Sequence, residues 1–220
     1  MKLQYLGDSR DSFKWDYHDY LTSALGYTKL NILLMLTPDD NSNQGKTAPA
    51  IYPSRKPIHD LCCELREQRN IRLIYKLPSA TGSKYLIELH KGETYLTNRN
   101  RKEYFSGLST PKRQVLFLDP DNGFEPEKSH SKKHVLYSDI EAIIQQISEE
   151  SVISVFQYFR RISFTDDFTC IKQRLISGYA TAIYWHSLMF VAISKSKDTI
   201  DKVLTVNRQY SQGRPVSILQ

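Results

Sequence analysis

The feature that most constrains the fold is an alternation along the chain. Short, continuously apolar runs take turns with segments whose apolar residues recur at helical spacing. LNILLMLT at Leu30–Thr37, KYLIELH at Lys84–His90, QVLFLDP at Gln114–Pro120 and SVISVFQYF at Ser151–Phe159 read as strands. Of these, Leu30–Thr37 and Gln114–Pro120 have the unbroken apolar character of strands buried on both faces. IRLIYKL at Ile71–Leu77 reads as a further strand. TAIYW and LMFVAIS, on either side of His186 and Ser187, read as two antiparallel strands or one bent strand. A first helix starts near Asp11 and carries Phe13, Tyr17, Tyr20, Leu21 and Ala24 on one stripe, with Gly26 closing it. Others are predicted over Ile58–Arg69, Phe164–Ser177 and Thr199–Tyr210. One more follows the capping-box spacing of Ser138 and Glu141, with Ile140, Ile143, Ile144 and Ile147 as its buried stripe.

This order predicts an α/β fold: a three-layer, Rossmann-like sheet of about six or seven mostly parallel strands, helices on both faces, and room for an antiparallel edge. No solenoid-length repeat and no long linker divides residues 1–220, so a single domain is expected. In open sheets of this kind ligands bind outside the carboxyl ends of the strands, where the strand order reverses. Polar residues directly after a buried strand are therefore the place to look for chemistry.

Composition narrows the partners. The longest apolar runs fall well short of the roughly 20 residues of a membrane span. MKLQYLGDSRD has charges where a signal peptide would have its apolar core, so no membrane association and a cytoplasmic location are expected. Thirty Lys and Arg against 24 Asp and Glu give a formal charge of +6, which favours nucleic acid as a partner. The three cysteines, two of them adjacent, make neither a disulfide framework nor a zinc spacing, and are expected as reduced thiols.

Four constellations carry chemistry-bearing residues. In LFLDPDNGFEPE, Asp119 ends a buried strand, Pro120 stops the ladder, Asp121, Asn122 and Gly123 make a turn, and Glu125 and Glu127 follow. Carboxylates gathered at one strand end can hold a substrate amine, bind a divalent cation or act as a general base, although Asp-x-Asn-Gly is also ordinary turn chemistry. In YLGDSRDSFKWDY, Asp8 or Ser9 suits a helix cap, and Asp11 and Lys14 stand one turn apart on what reads as an exposed face. Trp15 lies off the apolar stripe, placed to meet a second layer or a stacked base. In TPDDNSNQGK, Asp39 and Asp40 are placed to join an acidic site and Gln44, Gly45 and Lys46 to meet phosphate, but the spacing is not that of a P-loop, and a surface loop explains it equally. At the strand end FQYFRR, Gln157, Tyr158, Arg160 and Arg161 are expected on one substrate rim, where adjacent arginines and aromatics suit phosphate contact and base stacking. Neither a G-x-S-x-G elbow nor a G-x-G-x-x-G fingerprint occurs.

GDSRDSFKW at Gly7–Trp15, ELHK at Glu88–Lys91 and LFLDPDNG at Leu116–Gly123, in that order, resemble motifs of the Rossmann-fold ribosomal-RNA adenine methyltransferases. That family has Gly-Asn-x-x-Asp-x-x-Lys-His near its N-terminus, then Glu-Leu-His, then a catalytic Asp-Pro-Pro-Tyr at a strand end. The resemblance implies an S-adenosylmethionine-dependent enzyme acting on nucleic acid. Asp119 would accept a hydrogen bond from the target amine, with Asp121 and Lys14 completing the catalytic set. Asp8, Asp11, Glu88 and Asn122 would lie at the methyl-donor pocket, with Gln157, Tyr158, Arg160 and Arg161 on the substrate side. Here Asp121 and Asn122 replace the second proline and the aromatic residue that stacks on a flipped base, so altered chemistry is compatible with the pattern. The matches span about 25 of the 220 residues. The same acids admit two other readings. One is a magnesium-dependent nuclease or phosphodiesterase with Asp8, Asp11, Asp119, Asp121 and Glu125 around the metal; the other is a non-catalytic adaptor binding through the same rim.

Overall fold

The computed structural model describes residues 1–40, 45–108 and 112–220. The strands are β1 (Lys29–Leu33), β2 (Leu86–Leu89), β3 (Gln114–Leu118), β4 (Gly123–Phe124), β5 (His134–Val135), β6 (Val152–Tyr158), β7 (Tyr179–Trp185), β8 (Leu188–Ser194) and β9 (Ser217–Leu219). The helices are α1 (Ser9–Ala24), α2 (Lys56–Gln68), α3 (Leu77–Thr81), α4 (Arg101–Tyr104), α5 (Tyr137–Gln146), α6 (Phe164–Arg174) and α7 (Lys197–Ser211). Seven strands form one sheet in the order β2-β1-β3-β6-β8-β7-β9, and β4 pairs with β5 in a small parallel ladder of its own. Neighbours from β2 to β6 are parallel; β8 runs antiparallel between β6 and β7, and β9 antiparallel on β7.

Successive strand residues point to opposite faces, and here both faces are covered. Leu30, Ile32, Val115, Phe117, Phe190 and Ala192 face a core shared with α1, α2 and α7. Leu33, Leu116, Leu118, Ile153, Val155 and Val191 face a second core closed by α5 and α6. That two-sided burial explains why these strands read as unbroken apolar runs. The three-layer α/β architecture is the one the alternation predicts. The segment around His186 resolves as a hairpin of two antiparallel strands.

α1 departs from the amphipathic surface helix that its stripe suggested. It packs against β1 and β3 on one side and against α2, α3 and α7 on the other, so nearly every residue from Ser9 to Thr22 is buried. Asp11 and Lys14, read as exposed, are among them, and Trp15 meets the second layer, edge-on to Phe117 at 6.0 Å. Buried carboxylates on this helix are paired: Asp16 and Asp19 both take Arg55, and Tyr210 donates to Asp16 at 2.8 Å.

Ile71–Leu77 is not a strand. Residues Ile71–Lys76 form a 3₁₀ helix that runs into α3. Ile71, Ile74 and Leu77 are buried at intervals of three, the period of a 3₁₀ turn, and Asn70 caps its start by accepting from the Arg72 N–H at 3.0 Å. The capping box of α5 also shifts. The helix begins at Tyr137, Asp139 rather than Glu141 reaches back to the Leu136 N–H at 2.8 Å, and Glu141 instead accepts from Ser177. β9 had no signal in the sequence beyond a short VSIL.

Gly7, just before α1, has φ +72°, and a Cβ there would stand 2.1 Å from the carbonyl oxygen of Cys62 and 2.6 Å from the backbone nitrogen of Arg66 on α2. The close approach of α2 to the start of α1 therefore requires glycine. Gly7→Ala is expected to lower the unfolding free energy by about 2–5 kcal/mol in denaturant titration, from left-handed backbone strain and overpacking together.

Candidate functional site

The strand order reverses between β1 and β3: the chain passes from β1 outward to β2, then returns to β3 on the other side. At the carboxyl ends of these strands lies a cleft of about 220 Å³. It receives Asp119–Asn122 from the end of β3, Phe156 and Tyr158 from β6, Asp40 from the segment after β1, and Asp8, Arg10, Asp11 and Lys14 from the start of α1; Met1, Lys2, Tyr5 and Lys133 complete the wall. This is where an open α/β sheet is expected to bind a ligand.

Its centre is a buried charge cluster. Lys14 Nζ donates to Asp11 Oδ1 at 2.7 Å and to Asp119 Oδ2 at 2.8 Å, joining residues 105 apart in the chain. The other Asp11 oxygen accepts from the Gly7 N–H at 2.8 Å, and Asp8 caps α1 by accepting from the Arg10 and Asp11 N–H groups. Burial works against the Lys14 charge, but Asp11 and Asp119 outweigh it and hold the ammonium pKa above its ordinary value. Burial likewise raises the Asp119 carboxyl, against the pull of Lys14. Asp8 makes no ion pair among the described residues: burial, seconded by the Asp11 charge, pushes its carboxyl up to about 6. Beside it, Asp121 takes the Thr37 hydroxyl and lies 3.0 Å from the α-amino group of Met1.

One turn after Lys14, His18 is fully buried, and burial lowers its pKa to about 3, leaving the ring neutral. Its Nδ1 lies 2.7 Å from the Lys14 carbonyl, which can only accept, so Nδ1 carries the proton and Nε2 accepts from the Ser154 hydroxyl at 2.8 Å. His18 thus positions the Lys14 turn of α1 over β6.

Of the residues read from sequence, Lys14, Asp8, Asp11, Asp119, Asp121, Asn122 and Tyr158 meet in this cleft, and Asp40 joins them through an ion pair with Lys2. Asp39 instead accepts from the Gln4 N–H on the outside, and Gln44 lies outside the described residues. Glu88 is away from the lining, on β2, paired with Lys29. Gln157, Arg160 and Arg161 do not share Tyr158's rim. Gln157 is buried; its Oε1 accepts from the Phe124 N–H at 2.9 Å and from Arg160 at 2.8 Å, and its side chain fills the space a Cβ on Gly123 would need. Arg160 also donates to the Phe124 carbonyl at 2.7 Å, and Arg161 is exposed. Glu125 is turned to the Tyr137 N–H and His130. Among the described residues no group of three or more His, Cys, Asp or Glu is arranged to hold a metal ion, and the Lys14 ammonium stands between Asp11 and Asp119.

Arg10, Lys133, Tyr5 and Phe156 were not read as site residues. Arg10 was visible between two singled-out aspartates. Lys133 was not, because it reaches the rim through the Asn122 N–H, which donates to its carbonyl at 3.0 Å.

No family model matches the chain, and comparison with curated proteins and with solved structures finds no match either. The site is therefore read from its own chemistry. No helix among the described residues is long and apolar enough to cross a membrane.

Two outcomes follow from the charge cluster. Lys14→Met leaves Asp11 and Asp119 buried without their cation and is expected to destabilise by about 3–5 kcal/mol in urea titration. The raised Asp8 pKa means that the folded state binds a proton more tightly than the unfolded chain, so this contribution to stability is present at low pH and is lost as pH rises from 3.8 through about 6. Asp8→Asn keeps the helix cap but cannot ionise. Relative to it, the wild type should lose about 1.4 kcal/mol per pH unit across that window, read as the difference between the two stability–pH curves.

Proposed function

We propose that the protein is a methyltransferase-like α/β domain acting on nucleic acid, with this cleft as its catalytic site. One observation carries the reading: two motifs that resemble parts of one enzyme family, far apart in sequence, meet through the Lys14–Asp119 contact at the switch point of the sheet. The net charge of +6 supports an anionic partner.

The donor set suits the methyl donor in charge. S-adenosylmethionine carries a sulfonium and an α-amino group, and Asp40 and Asp121 in the lining are carboxyl groups of the kind that would hold them. That cofactor supplies an electrophilic methyl group when bound. Asp119, fixed by Lys14, accepts a hydrogen bond from the N–H of the target amine and orients its lone pair. Asp8, with a pKa of about 6, takes the proton that the methylated amine gives up.

The test is a thermal-shift titration of the purified protein with S-adenosylmethionine, its demethylated product and Mg²⁺, followed by a methyl-transfer assay on RNA and DNA. A ligand bound only by the native state at a hundred times its dissociation constant stabilises by about 2.7 kcal/mol, a rise of a few degrees in melting temperature. A rise with the donor and its product is expected, and Asp119→Asn is expected to reduce transfer about 10²–10⁴-fold with the melting profile checked alongside. No shift at about millimolar donor, a concentration that would half-fill a site with a binding free energy of only about −4 kcal/mol, overturns the proposal. Cleavage of nucleic acid that is abolished by chelator and restored by Mg²⁺ transfers the site to the nuclease reading.

A further inference from the structure

The cleft sorts its charges by depth. Asp8, Asp11, Lys14 and Asp119 form the buried floor, each at most 4% exposed. The half-buried wall holds Tyr5 and Tyr158, with Phe156 beneath them, and two cations, Arg10 and Lys133. Floor and rim differ in one respect that matters for a ligand. Lys14 is consumed by two carboxylates and Lys2 by Asp40, whereas neither Arg10 nor Lys133 makes an ion pair among the described residues. Arg10 lies over the Tyr158 ring, its guanidinium carbon 5.0 Å from the centroid, and one Nη reaches the phenol oxygen at 3.4 Å. Among the described residues its side chain makes that one hydrogen bond, so most of its donors are uncommitted there. Lys133 comes from a different element, the connection that leads into β5, and is fixed there by its backbone bond to Asn122.

A carboxyl-rich floor offers acceptors to amine hydrogens, aromatic side chains in the wall offer contact to a planar ring, and two cations without an ion pair among the described residues offer donors to an anion. Amine, ring and anion in that sequence describe a nucleotide bearing an exocyclic amine. We infer that Arg10 and Lys133 form a phosphate-reading rim for such a nucleotide. This rests on the nucleic-acid part of the reading above and replaces Arg160 and Arg161 as the phosphate contacts. Arg160 is committed to Phe124, Gln157 and Asp167, and Arg161 is outside the cleft.

The experiment is fluorescence-anisotropy binding of a labelled single-stranded oligoadenylate to the full chain, over salt from about 50 to 200 mM, for wild type, Arg10→Gln, Lys133→Gln and Arg161→Gln. Each of the first two substitutions is expected to lower the slope of log affinity against log salt by about 0.7, the share of one single-strand phosphate contact. Arg161→Gln should leave slope and affinity unchanged. A competition arm separates polymer from free nucleotide: adenosine monophosphate should displace the oligomer better than adenosine, and the double variant Arg10→Gln/Lys133→Gln should lose that preference. Equal competition by the two, unchanged slopes in both variants, or no oligomer binding at the lowest salt overturns the inference. Donor-induced thermal shift with no phosphate preference fails this inference alone; phosphate preference with no donor shift fails methyl transfer alone.

Discussion

The buried ammonium of Lys14 is the contact on which the arrangement of the cleft depends. Three charges, two carboxylates and one ammonium, are taken out of water together, and only close geometry makes that tolerable. The consequence is positional. Asp11 and Lys14 belong to α1 and Asp119 to the end of β3, so the cluster fixes the first turn of the helix against one strand end. His18, a turn later, ties the same helix to Ser154 on β6. With two successive turns anchored to two neighbouring strands, the helix has little freedom to slide or rotate, and Asp8 is held where burial raises its pKa.

The turn after β3 is fixed from the other side. Gln157 satisfies the Phe124 N–H and packs where a side chain on Gly123 would stand, while Asn122 bonds to the backbones of Lys133 and Tyr158. A polar glutamine buried at a strand end is costly unless its amide is satisfied, and here its oxygen accepts twice and its nitrogen donates to the Tyr158 carbonyl. What read as a substrate-binding residue is the clamp that holds the Asp119–Asn122 turn in shape.

The fold was largely legible and the site partly so, for physical reasons that differ. β1, β3, β6 and β8 announced themselves because burial on both faces leaves unbroken apolar runs, and the isoleucines of α5 because one helix face meets one core. Ile71–Leu77 misled because its apolar spacing of three was hidden inside a run dense enough to pass for a strand. The burial of Asp11 and Lys14 was hidden because hydrophobic periodicity registers apolar residues and says nothing of charges buried in pairs. The rim residues were misjudged at one point where periodicity could have helped: Gln157 and Tyr158 are consecutive in β6, so they point to opposite faces, and only one of them could line the cleft. Arg10 and Lys133 become neighbours of one cavity only through the tertiary fold.

The order in which the chain is made gives the Lys14 cluster a second meaning. α1 is made before its partners: the carboxylate that completes its ion pair lies 105 residues later, and the hydroxyl that His18 needs lies 136 residues after the histidine. Until β3 and β6 have emerged, this helix has charged and polar groups whose partners do not yet exist, so it has no stable place to settle on a partial sheet. Sheet assembly from the β1–β2 side therefore waits for β3 and β6, and α1 settles only once both strands have been made.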